Sequence, residues 1–174
     1  MGNRGRKLGK KKLAIVAGLA VVLIASAVAW WFFTKSETSS VFGTISEKTA
    51  EKPEFKTVQP ANDDSKPKQL QRVSPPESDP VFAYNDTIEN VAIIVSQQPL
   101  PKDFKGHVDE SVEKVAKDFE ATTKLQADDT TIWVGTSAKG PQSVVLTKNN
   151  LLILIKSQKK VSDQAWKDYV KALD

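Results

Sequence analysis

The chain contains no cysteine. That excludes a disulfide framework, a thiol nucleophile, a lipidated N-terminal cysteine and cysteine-based zinc sites. It has a single histidine, His107, and one histidine without a second cannot build the usual zinc centre; surface or capping use near Asp109 is expected. Acidic residues are missing from residues 1–12, where six basic ones stand: Arg4, Arg6, Lys7, Lys10, Lys11 and Lys12. Residues 13–80 carry seven basic and eight acidic side chains, and residues 81–174 carry twelve and thirteen, so the net charge of +4 resides in the first dozen positions. Nucleic-acid binding loses its support, because the electrostatic footprint would have to lie on the folded part.

Beyond the basic head, residues 13–33 form 21 consecutive uncharged positions. At about 1.5 Å rise per residue they span roughly 31 Å, the thickness of a hydrocarbon core. Trp30, Trp31 and Phe33 stand at one end, where aromatic rings settle at the headgroups, and the lysine cluster marks the other. The positive-inside bias predicts a single-pass transmembrane helix with the N-terminus cytoplasmic and residue 34 onward extracytoplasmic. The competing reading is a signal peptide cleaved near Ala25-Ser26-Ala27 or Ala27-Val28-Ala29, giving a secreted product. Cleavage would leave an aromatic block at the new N-terminus, which an uncleaved anchor explains and a soluble domain does not.

Residues 34–80 turn to Lys, Glu, Ser, Thr, Gln and Pro and hold six of the nine prolines. Such low hydrophobicity predicts a disordered tether, which over 47 residues has a coil dimension of roughly 35 to 40 Å. Within it Val41, Phe42 and Ile45 form an apolar island, expected to touch lipid, with docking on a partner or on the domain as the alternative.

Residues 81–174 read as an α+β domain. "VFAYNDTI" and "VAIIVSQQ" are strand-like and separated by Glu89-Asn90, a hairpin spacing. "PLPKDFKG" reads as a loop; Val108, Val112, Val115 and Phe119 then recur at helical spacing. Four more strands follow, "TTKLQA", "TTIWVGTS", "QSVVLTK" and "LLILIKS", with gaps too short for parallel crossovers. "LLILI" is apolar at every position, so an inner strand is expected. A terminal helix capped by Ser162 presents Ala165, Trp166, Tyr169, Val170 and Leu173 on one face. The expectation is an antiparallel five- to six-stranded sheet with two packed helices, in the order ββαββββα.

The lysine-rich head, single span, proline-rich tether and a domain carrying "VAIIVSQQPLP" and "GTSAKGPQSVVLTKNNLLILIKS" resemble uncharacterised single-pass membrane proteins of bacteria. The element order over residues 81–174 also resembles the PsbP/Mog1-like fold. The resemblance implies a non-enzymatic accessory, assembly or sensing role and carries over no functional residues.

No catalytic, metal or nucleotide motif is found, and no cofactor is expected. "GTSAKGP" lacks the Lys-Ser/Thr pair of a phosphate loop. Asp128-Asp129 is explained by a turn without a cation, and Ser137 with Lys139 by a strand end and turn without a catalytic pair. Asn85-Asp86-Thr87 matches a glycosylation acceptor. Trp133 is expected in the core, with stacking on a ligand as the alternative. Loops commonly carry recognition, so residues 97–104 and 137–141 are the expected partner surface: Gln97, Gln98, Leu100 and Phe104, with Ser137, Lys139 and Trp133. The expected function is a membrane-tethered, non-catalytic extracytoplasmic module binding an envelope protein or cell-wall component; the alternatives are an envelope hydrolase and a single-pass sensor.

Overall fold

The computed structural model describes residues 52–61, 68–138 and 140–174. The 13–33 run, the 41–45 island and Lys139 lie outside the described residues. Among the described residues no helix is long and apolar enough to cross a membrane.

The elements run β1 (Gln71–Arg72), β2 (Phe82–Ile88), β3 (Val91–Pro99), one 3-10 turn (Lys102–Phe104), α1 (Val108–Asp118), β4 (Thr123–Ala127), β5 (Thr130–Thr136), β6 (Gln142–Lys148), β7 (Leu151–Ser157) and α2 (Asp163–Ala172). From Phe82 onward this is the ββαββββα order, and the fold is α+β. The sheet has seven strands rather than five or six, ordered β1-β2-β3-β7-β6-β5-β4, with every pair antiparallel.

Turn chemistry sets the hairpins. Glu89 and Asn90 take φ of 49° and 63°, and Asn149 and Asn150 take 50° and 63°, the two consecutive positive values that a two-residue turn matching the strand twist requires. β7 lies between β3 and β6 and is covered on both faces. Leu151, Ile153 and Ile155 join one hydrophobic core, while Leu152 and, half-buried, Leu154 join the other. That division accounts for an apolar residue at every position of "LLILI".

On the front face α2 lays Trp166, Tyr169 and Val170 over Ile93, Val95, Ile132, Val144 and Ile153. Its start is capped as expected, with Ala165 N–H donating to Ser162 Oγ at 3.2 Å. On the back face α1 sets Val112 and Ala116 against Val145 and Leu152. α1 ends in a Schellman pattern: Ala121 N–H donates to Ala116 O (2.8 Å) and Glu120 N–H to Lys117 O (3.0 Å), with Glu120 at φ 56° in place of the usual glycine. Gly135 of β5 makes room for that turn, since a Cβ there would lie 2.4 Å from Glu120 O.

The domain begins earlier than Val81. Residues 52–61 and 68–80, read from the sequence as disordered tether, pack on the front face and the β2 edge. Phe55 meets Phe82 edge-on at 5.7 Å, Val58 is 0 % exposed in the core, and β1 pairs with β2. Pro60 has no N–H to give a ladder, but its neighbours compensate. Gln59 N–H donates to Asp174 O (3.2 Å), Ala61 N–H to Ala172 O (2.7 Å) and Asp174 N–H to Gln59 O (3.0 Å). Side-chain amides supply the remaining partners. Gln97 Oε1 accepts from Val58 N–H (2.8 Å) and Gln97 Nε2 donates to Val58 O (3.2 Å). Gln59 does the same to Lys68, at 2.8 and 3.1 Å. Three apolar residues, Phe55, Val58 and Leu70, with two glutamines, order a strap whose composition alone predicts disorder.

Candidate functional site

Alternation along β2 sends Tyr84 and Asp86 to the front face, and the period of α2 brings Tyr169 above them. The two hydroxyls lie 3.3 Å apart, and Tyr169 O–H donates to Asp86 Oδ2 at 2.9 Å. The other carboxylate oxygen of Asp86 meets Lys68 Nζ of the strap at 3.3 Å. With the Tyr169 proton committed to Asp86, the shared proton of the tyrosine pair comes from Tyr84. Burial pushes both phenols well above their ordinary range, and the neighbouring Asp86 carboxylate adds to the rise. Both therefore stay neutral at physiological pH and act as hydrogen-bond donors, not as bases.

Two hollows open on either side of this chain. One of about 400 Å³ is lined by Thr87, Glu89, Ser162, Gln164, Asp168 and Tyr169, among others. The other, of about 270 Å³, is lined by Lys68, Asn85, Asp86, Thr87, Ala92 and Ile93. Glu89 closes the floor of the first by accepting from Ser162 N–H (3.1 Å) and Ser162 Oγ–H (2.8 Å). A carboxylate thus already sits at the start of α2, where the helix dipole favours negative charge. No grouping of three or more metal-ligating side chains exists among the described residues. No family model, curated protein or solved structure matches the chain. The charged groups lining the hollows are each engaged: Lys68 with Asp86, Glu89 with Ser162, and Asp168 with the Gln164 amide.

Of the described residues expected to form a partner surface, Leu100, Phe104 and Trp133 meet in the back-face core, while Gln97, Gln98 and Ser137 lie elsewhere. Gln97 is 1 % exposed on the front face and bonded to Val58. Gln98, on the back face, is half-buried. Phe104 is buried with Leu100 beneath α1, in the core that also takes Val145 and Leu152. The reason is that β3 runs on to Pro99, paired with Leu151, so that residues 97–99 are strand and not loop. Trp133 packs half-buried in the same back-face core, with Lys124 Nζ 5.2 Å from its ring centroid. Ser137 is exposed in the β5–β6 turn, its backbone N–H donating to Pro141 O at 2.9 Å. His107 is exposed at the start of α1 and makes no side-chain capping bond. The residues that sequence reasoning missed are Tyr84, Asp86 and Lys68. Alternation points Tyr84 inward, but its pairing with a tyrosine 85 positions away has no local signature.

Proposed function

We propose that the chain is a single-pass membrane protein whose folded domain is a non-catalytic binding or assembly module for an envelope protein or cell-wall component. Residues 1–12 lie in the cytoplasm, residues 13–33 cross the bilayer, and the domain stands outside. The observation that carries this reading is the uncharged run of 21 residues set between a wholly basic head and an aromatic block. The strap from Phe55 onward belongs to the folded domain, so any tether to the membrane is shorter than residues 34–80. The buried polar side chains of the domain are spent on holding its fold. Gln97 holds Val58, and Gln142 accepts from Val161 N–H and Trp166 Nε1–H. Among the described residues no buried side-chain nitrogen or oxygen lacks a partner.

The test is protease treatment of intact cells or sealed right-side-out vesicles, followed by detection of the C-terminal domain. An outward-facing anchored domain is released as a fragment whose N-terminus falls within residues 34–54. A protected domain would reverse the topology and end the proposal. A starting band already shortened by the first 25 to 30 residues would replace the anchor with a cleaved signal.

A further inference from the structure

The strap is held on the domain in the way a separate peptide would be. Of residues 55–61 only Val58 is buried; Phe55 leans half-buried on Phe82, and Lys56 and Ala61 are exposed. Among the described residues, the hydrogen bonds that join this stretch to β3 and to residues 172–174 are all made by its main chain. Val58 N–H and C=O meet the Gln97 amide, Gln59 N–H and C=O meet Asp174, and Ala61 N–H donates to Ala172 O. Gln97 is 1 % exposed, and a buried amide is costly wherever it lacks partners. Its two partners are the N–H and C=O of one extended residue, groups that every residue except proline offers whatever its side chain. Recognition through the main chain with one side chain in a pocket is how sheets take up extended peptides.

We propose that the Gln97 seat is a binding site for an extended polypeptide segment with a single aliphatic anchor, and that the strap is its built-in competitor. The site gives the binding role proposed above, on which it rests, a class of partner. One buried side chain, one aromatic edge contact and these main-chain bonds are set against the backbone entropy of the ordered strap. Behind it β2, β3 and β7 stay paired with one another through their own ladders. A segment arriving in trans therefore displaces the strap and leaves the sheet intact. It must compete with a strap whose attachment to the same chain gives it a high local concentration.

The strap itself supplies the probe: a fluorescent peptide of residues 52–61, titrated against the full chain and followed by anisotropy. Val58→Ser in the chain removes the anchor of the competitor without altering the seat. That variant is expected to bind the peptide about tenfold or more tightly than the wild-type chain. N-methylation of the peptide at its valine, which removes the N–H that Gln97 accepts, should weaken binding about tenfold, and so should Gln97→Ala added to Val58→Ser. Serine in place of the lysine and threonine before that valine should leave binding nearly unchanged. Hydrogen exchange at Gln59, Ala61, Val134 and Val144 verifies that the strap is open on a folded sheet. If Val58→Ser does not fold, Ala61→Pro, which deletes one strap bond and keeps the anchor, takes its place. Three results overturn the proposal: no binding to a folded chain with an open strap, binding indifferent to both N-methylation and Gln97→Ala, or binding abolished by the two serines. Any of them would strike the Gln97 seat alone, because peptide capture is read apart from the topology that the protease experiment decides.

Discussion

Replacing Gln97 with alanine removes both partners of one buried peptide unit, and two outcomes compete. If the strap stays, Val58 N–H and C=O are left without partners in a dry site, at about 1–3 kcal/mol each. If the strap leaves, the burial of Val58 is lost, about 1.5–3 kcal/mol, together with the bonds from Gln59, Ala61 and Asp174, about 0.5–1.5 kcal/mol apiece. Against that loss, the freed residues regain about 1–2 kcal/mol each of backbone entropy. Only detachment regains that entropy, so it is the cheaper branch. Hydrogen exchange followed residue by residue distinguishes the two. Gln97→Ala is expected to lower protection at Val58, Gln59, Ala61 and Asp174 by about 10- to 100-fold, the equivalent of about 1.4–2.8 kcal/mol, with Val134 and Val144 little changed. Gln98→Ala, one residue on and facing the other way, should leave the strap alone. Gln97→Glu keeps an acceptor for Val58 N–H but turns a carboxylate toward Val58 O. It should lose the strap at neutral pH and regain it in acid, when the protonated carboxyl donates again. Unchanged protection at Val58 in Gln97→Ala, or an equal loss across β5 and β6, would refute the reasoning.

Tyr84 and Tyr169 are the only tyrosines of the chain, and both are raised by burial. Their folded-state neutrality contributes stability in full below the unfolded value of about 10, and that contribution is lost as pH rises further. The urea midpoint should therefore be insensitive to these groups up to about pH 10, and phenolate absorbance should appear only together with unfolding; phenolate in a still-folded protein would contradict the burial. Tyr169→Phe removes the donor to Asp86 and should cost about 1–3 kcal/mol in denaturant titration, whereas a neutral result would mean water satisfies that carboxylate. Gly135→Ala forces a Cβ onto the Glu120 carbonyl and should destabilise by about 1–3 kcal/mol, measured the same way. Ser162→Ala, which loses the cap and the bond to Glu89, should cost about 0.5–2 kcal/mol.

The elements legible in the sequence are those whose cause is local. Glu89-Asn90 and Asn149-Asn150 announce their turns, Ser162 its helix, and the unbroken "LLILI" its place at the centre of the sheet. The strap was not legible, because its partners lie far away in sequence: Gln97 is 39 positions from Val58, and Leu173 is 113 from Pro60. Six prolines in residues 34–80 read as disorder, yet one of them, Pro60, sits where both flanking N–H groups find carbonyls. Pro99 misled in the same way. β2 pairs with β3 only as far as Gln97, so by Pro99 that side of β3 is an edge, where the missing N–H breaks no ladder. The loop expected from residue 97 is therefore strand, and two of its candidate contacts, Gln97 and Phe104, became interior. The tyrosine chain depends on the meeting of β2, α2 and the strap, which no single stretch encodes.

The position of β7 governs how the chain must be made. β1 to β3 and β4 to β6 are each continuous in sequence, but they are joined side by side only by β7, where Val95 pairs with Ile155 across 60 positions. During synthesis from the N-terminus, β3 and β6 each present an open edge until β7 (Leu151–Ser157) has emerged. Such late closure between distant strands makes for slow folding, and the waiting edges invite pairing with other chains. It also keeps the two halves of the sheet apart until the strand that joins them is made.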